Sequence, residues 1–377
     1  MPTYLSPGVY VEEDPSGSAP IAGAGTSVAG FIAIITHNGT TPQAGTLVSS
    51  GEIKLITNFT EFKQFFGDFT KDNPEQNIFA HAVYGFFRNG GTRAYVTWVS
   101  DTKDVDGVLN DFEAIDEISI VVAPGQTDAK IIGQIKDHAA KMGDRIAILD
   151  CQPATDLGSE TKPTVPGFTS YAAFYFPWIQ VYDPATKINI FVPPSGHIAG
   201  VYARVDGERG VHKAPANVPL LGALDLQFNI SKAKQDRLNP QGVNVIRKLN
   251  GNILVWGART LGGDANLEFK YINVRRHFCY LKDSIDKGTQ WVVFEPNTPE
   301  LWAKIRRNIS AFLTLEWRKG ALFGTTPQEA FYVKCDAENN PPALRDLGQV
   351  VIEIGVAVVK PAEFVIFRLS QWSGAKE

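Results

Sequence analysis

Between residues 28 and 150 of this 377-residue chain, hydrophobic and polar positions swing between two periods. The apolar run 28–36 predicts a first core strand. Residues 60–66 and 77–88 then place Phe62, Phe65 and Phe66, followed by Phe79, Val83 and Phe86, at helical spacing. Segments 94–99 and 118–122 read as strands, the second closed by Pro124-Gly125. Thr127 is placed to cap a helix in which Ile131, Ile132, Ile135, Ala139 and Met142 share one face, and Gly143 to end it. With 145–149 as the next buried strand, the pattern is a β-α-β unit, which predicts an α/β region with a parallel pair.

Beyond residue 150 the signals are more uneven. Residues 171–182 form an aromatic-rich run that predicts a single strand. The Pro- and Gly-rich stretch 193–219 predicts a long connection. The pattern restarts near Asn239-Pro240-Gln241-Gly242. Strands are expected at 243–246, 252–256, 291–294, 331–334, 350–359 and 364–369, and helices at 267–287 and 297–319. The last helix has a marked start: Asn297 or Thr298 as cap, Pro299 in the first turn and Glu300 to complete a capping box. On that helix Glu300, Lys304, Arg307, Thr314 and Arg318 fall within an arc of about 80°, opposite Trp302, Ile305, Ile309 and Phe312. A solvated face is the simple reading of that stripe, and docking onto an acidic partner is the functional one.

The two ends break the globular pattern. Val9, Tyr10, Val11, Glu12 and Glu13, after Gly8, make a short strand. It is tethered by a leader, 14–30, with almost no large side chain; its first thirteen residues, extended, span roughly 43–47 Å. At the other end, Phe364, Val365, Ile366, Phe367, Arg368 and Leu369 form a strand that is apolar on both faces. Left exposed, such a strand invites pairing with another chain. It can pair within its own domain or be donated to a neighbour. A short strand on a tether suits donation, and two such ends on one chain build an open polymer.

Composition changes this picture little. Lys and Arg number 36 against 40 Asp and Glu, so charge alone points to no nucleic-acid partner. Three cysteines, Cys151, Cys279 and Cys335, predict no disulfide framework and fit assembly in a reducing cytoplasm. No cationic leader precedes an apolar segment, and no run approaches the ~18 apolar residues of a membrane helix, so neither ordinary secretion nor membrane insertion is expected.

Chemistry-bearing constellations are missing. There is no phosphate loop, no Gly-x-Ser-x-Gly elbow and no His-Glu-x-x-His pair, and the six histidines are scattered. Gly23-Ala24-Gly25 with Gly30 lacks a preceding strand and reads as a hinge. Arg275-Arg276 and Arg306-Arg307 read as solvated helix faces. No catalytic, cofactor-binding or metal-ligating residue is assigned, and no cofactor is expected.

Several motifs then occur in order. Tyr4-Leu5-Ser6-Pro7-Gly8-Val9-Tyr10-Val11-Glu12-Glu13 resembles the opening of contractile tail sheath proteins, which occur in phages and in phage-tail-like particles such as R-type bacteriocins and extracellular injection systems. Asn239-Pro240, Leu254-Val255-Trp256-Gly257-Ala258-Arg259-Thr260-Leu261, Tyr271-Ile272-Asn273-Val274-Arg275-Arg276 and the ending 363–372 resemble its C-terminal region. The resemblance implies a two-domain, mixed α/β subunit. Residues 1–25 would be an N-terminal arm and linker, 26–235 an outer variable domain, 236–359 an inner domain and 360–377 a C-terminal arm. It implies a non-enzymatic polymer around an inner tube, with baseplate and terminal cap proteins as further partners. Such a polymer is assembled in the bacterial cytoplasm as part of a phage tail or of a releasable particle. The arms would add strands to neighbouring subunits, and contraction would drive the tube through a target envelope. Lys304, Arg307 and Arg318 are then the expected tube-facing residues. A non-contractile tail or baseplate component, or an α/β enzyme assembled from distant residues, stays open as an alternative.

Overall fold

The computed structural model describes residues 20–35, 47–153 and 162–369. Its fold is mixed α/β. The strands are β1 (Ala29–Ile34), β2 (Lys54–Ile56), β3 (Ala94–Val99), β4 (Ile120–Val122), β5 (Ile146–Asp150), β6 (Ala172–Phe176), β7 (Ile179–Asp183), β8 (Ile188–Val192), β9 (Val218–Pro219), β10 (Asp225–Leu226), β11 (Val243–Leu249), β12 (Asn252–Val255), β13 (Phe331–Lys334) and β14 (Glu353–Val356). The longer helices are α1 (Phe59–Phe66), α2 (Pro74–Arg88), α3 (Val105–Glu113), α4 (Ala129–Met142), α5 (Ser195–Arg209), α6 (Lys232–Leu238), α7 (Ile272–Thr289) and α8 (Pro299–Arg318). The described residues divide into two units, one running from 24 to 283 with 358–369, the other made of 20–23 and 284–357.

The larger unit is built on a nine-stranded sheet, ordered β2-β3-β1-β4-β5-β6-β11-β12-β9. Its inner run from β3 to β11 is parallel, and β2, β12 and β9 add antiparallel edges. Strands buried on both faces need cover on both. Alternate residues of β1 accordingly enter two separate cores: Phe31 joins Phe62, Phe79 and Phe86, while Ile32 joins Phe112, Ile131 and Ile135. The expected β-α-β unit is present as β4-α4-β5 with parallel pairing. Asp128, rather than Thr127, caps α4, accepting from the amides of Lys130 and Ile131, and Gly143 ends it at φ 67°. The sheet includes strands on both sides of residue 235, because β6 pairs with β11.

Two expectations fail here for physical reasons. The aromatic run 171–182 is two strands, since Pro177 offers no amide to continue the ladder; β6 stays in the large sheet and β7 joins a second one, β10-β7-β8. The supposed connection 193–219 contains the buried helix α5. Two of its glycines are contact residues: a β-carbon on Gly196 would lie 2.3 Å from the Ala82 carbonyl oxygen, and one on Gly200 2.3 Å from that of Phe86. Small residues let α5 approach α2 backbone to backbone, and they hide the helical period from the sequence.

In the smaller unit, Leu301, Trp302, Ile305, Ile309 and Phe312 of α8 are buried. Thr298 caps the helix, so Glu300 lies in the first turn without closing a capping box; Asn297 instead accepts the Trp302 indole N–H at 2.8 Å and donates to the Gln349 carbonyl. Residues 291–294 are not a strand: the chain makes a 3-10 turn at Gln290–Val292 and then turns through Phe294 at φ 69°. β13 and β14 form a two-stranded antiparallel sheet.

Candidate assembly surfaces

Among the described residues, Glu363 is the last side chain of the C-terminal segment that is held by hydrogen bonds. Glu363 is only partly exposed, and its carboxylate accepts four hydrogen bonds. Arg259 donates through Nε to Oε1 at 2.7 Å and through Nη2 to Oε2 at 2.9 Å. Asn239 Nδ2 donates to Oε1 at 2.8 Å and Tyr271 Oη to Oε2 at 2.9 Å. Burial alone would raise this carboxyl; the bonds from Arg259, Asn239 and Tyr271 outweigh it and hold the group below the usual glutamate range. The same geometry, burial first and the carboxylate second, pushes the Tyr271 hydroxyl up to about 12.

Arg259 is itself positioned from below. The buried Asn244 of β11 accepts the Arg259 amide at 2.7 Å and donates to its carbonyl at 2.7 Å, and Arg259 Nη1 reaches the Asn239 carbonyl at 3.0 Å. Paired, planar, charge-assisted bonds of this kind are directional as well as strong.

Past Glu363, residues 364–369 lie in neither helix nor strand among the described residues. Phe364, Val365, Ile366, Phe367, Arg368 and Leu369 are all exposed, Phe367 to 84% and Leu369 to 97%. The expected strand 350–359 shortens to β14. Val9, Tyr10, Val11, Glu12 and Glu13 lie outside the described residues.

A second surface is the β13-β14 sheet, where neither strand pairs with a third among the described residues. Two strands alone are a marginal sheet, and open edges are templates for added strands. A third is the outward face of α8. Arg307 and Arg318 are exposed and Lys304 is partly so, with exposed Ala311 and Leu315 between them. Among the described residues no ion pair involves these three cations.

The arginine doublets behave unlike a solvated face. Arg275 is buried, with its guanidinium 3.4 Å from the Phe269 ring centroid and 4.2 Å from that of Tyr171. Arg276 is paired with Asp206, each side chain 4% exposed. Arg306, half-buried, donates to the Cys335 carbonyl, and Arg307 is exposed. Sequence reasoning singled out Arg259 and Glu363 only as parts of separate motifs. They lie 104 residues apart, and no local period signals that they meet.

Two family models match the chain: the phage tail sheath protein central domain over residues 101–261 and the phage tail sheath C-terminal domain over residues 264–371. A prophage major tail sheath protein of Pseudomonas aeruginosa (strain UCBPP-PA14) is 27% identical over 263 residues, 67% of this chain and 65% of that one. The tail sheath protein of Vibrio phage KVP40 is 30% identical over 203 residues, 53% of this chain and 29% of that one. The chain thus spans less than two thirds of the length of these curated relatives. Among solved structures, the PVC sheath complex of an extracellular contractile injection system in its contracted state superposes with a TM-score of 0.80 at 28% identity, covering 99% of each chain. The contracted helical sheath of the anti-feeding prophage gives 0.79 at 30% identity, covering 98% of this chain and 100% of that one. The matches define a structural protein of phage-tail-like particles, since the relatives are sheath proteins rather than enzymes. The chain belongs to the phage tail sheath family.

Proposed function

We propose that this chain is the repeating subunit of a contractile sheath. It polymerises around an inner tube by giving its two end strands to neighbouring copies. Contraction of the polymer drives the tube through a target envelope, and baseplate and cap proteins bound its ends. The observation that carries this reading is the exposed apolar segment 364–369 beyond the fixed Glu363. A chain that presents this much uncovered aromatic and β-branched surface on a short segment is built for burial elsewhere. The β13-β14 sheet is the natural acceptor. It offers open edges, and a donated strand would supply both main-chain bonds and an apolar face. Residues 9–13 are assigned the same role at the other end, and Lys304, Arg307 and Arg318 are assigned to the tube side. Energy for contraction would reside in a metastable assembly, so subunits would move as bodies while the arms keep them connected.

Deleting residues 364–377 tests the reading. The truncated protein should melt cooperatively near the temperature of the full chain, stay monomeric at concentrations where the full chain assembles, and fail to form tubes. Tubes of normal diameter from the truncated chain would sink strand donation at this end.

A further inference from the structure

The segment after β12 makes three contacts of one kind. Tyr271 Oη donates to Glu363 Oε2 at 2.9 Å. Two residues on, Asn273 Nδ2 donates to the Val359 carbonyl at 3.2 Å. Three further on, Arg276 grips Asp206 with Nη1 at 2.8 Å and Nη2 at 2.6 Å, and its Nη2 also donates to the Thr26 carbonyl at 2.8 Å. Thr26 closes the ring, its hydroxyl donating to Asp206 Oδ2 at 2.6 Å. The first two contacts restrain residues 358–363, where the C-terminal arm begins. The third restrains the chain at Thr26, within the leader that follows residues 9–13.

We propose that Tyr271, Asn273 and Arg276, with Arg259 and Asp206, form a common anchor for both chain ends. They are positioning residues. They fix where each arm leaves the larger unit, and they couple the two roots through the first turns of α7. Asn273 and Arg276 are three residues apart and so lie on one face of that helix, each gripping a different end of the chain. Both grips centre on an arginine held by a carboxylate through two bonds, which resists rotation as well as separation.

Two consequences follow for an arm that is itself unpacked. A strand with a fixed root explores fewer directions, so less freedom is lost when it pairs with a neighbour. A pull on one arm is delivered to the turn of helix that holds the other, so neighbours on either side of a subunit sense one another through it. The biological use of this coupling rests on the arms being donated strands. The anchor itself does not, and is measurable before any assembly.

Hydrogen exchange on the unassembled full-length chain reads the two roots separately. Glu363→Gln keeps the side-chain shape and removes the charge. The amides of residues 358–363 should then exchange about tenfold faster, the loss of roughly one charge-assisted bond. The amides of residues 24–28 should also accelerate several-fold, although no bond to Thr26 has been touched. Thr26→Val removes only the hydroxyl bond to Asp206 and should act in the opposite direction, loosening 24–28 first and 358–363 with it. Acceleration confined to the mutated root in both variants would overturn the coupling. Unchanged exchange at 358–363 in Glu363→Gln would overturn the anchor. Should that variant fold poorly, Tyr271→Phe, which loses one hydroxyl, makes the same measurement. A normal anchor in a chain that never polymerises would count against the sheath reading alone.

Discussion

Three buried titratable residues of the larger unit contribute to how the subunit responds to acid. Burial, reinforced by the charges of His81 and Arg88, pulls His197 down to about 3; burial and Arg145 pull His138 down to about 4. Both are therefore neutral in the folded chain where an unfolded histidine would already be charged. Their stabilising contribution is complete above the ordinary histidine value of about 6.5 and is lost as pH falls from there toward 4 and 3. Asp150 works in the opposite sense. Burial raises it to about 6 although it accepts from the Gly125 amide and from the amide and hydroxyl of Ser195. Its contribution is complete below about 4 and fades as pH rises through 6. With two groups against one, the melting temperature of the unassembled chain should fall between pH 6.5 and pH 4. His138→Gln should flatten that slope, and a slope unchanged in this variant would show that His138 is not its source. The residue scale also holds the least legible feature of the molecule. Glu363 and Arg259 stand in separate motifs of the sequence, and only folding makes a four-bond site of them.

At the scale of elements, local chemistry was readable wherever an element carries its own signals. α8 follows from Thr298, Pro299 and one apolar stripe, β3 from the β-formers 95–99, and the end of α4 from Gly143. The failures share a cause, which is that a partner element determines the outcome. α5 is buried by α2 through glycines that read as loop, and β7 is turned into another sheet at Pro177. For α8, the buried and exposed faces fall where the 3.6-residue period puts them, so its outward cations are a direct target. Lys304→Glu, Arg307→Glu and Arg318→Glu together should leave the melting temperature within a few degrees, because the changes are on a solvated face. They should abolish decoration of the inner tube in co-assembly, scored by electron microscopy. Normal decoration by the triple variant would remove α8 from the tube interface.

For the whole molecule, the division into units cuts across the linear order. The smaller unit takes residues 284–357 with residues 20–23; the larger unit takes both flanks of that insert. The polypeptide thus passes between units near residues 23, 283 and 357, and the anchor at Thr26, Arg276 and Val359 lies just on the larger-unit side of each passage. A polymer whose links are end strands should appear at high concentration as hollow striated tubes in negative stain, and should disappear when residues 1–14 are removed. Tubes that survive this deletion would show that the N-terminal strand is not a link.

By itself the sequence determined the fold class, the order of most strands and helices, the absence of familiar catalytic motifs and the family, because these rest on local periods and on motifs in fixed order. It also singled out the two ends as anomalous, since an apolar strand next to a chain terminus is visible without a structure. The tertiary structure decided what the ends are attached to. Residues 26, 206, 239, 259, 271, 273, 276, 359 and 363 converge through contacts of up to 250 residues' separation, and hydrogen bonds of that span leave no period in the sequence. What reads from the chain as a terminal strand is, at residues 364–369, an exposed segment beyond a fixed root at Glu363.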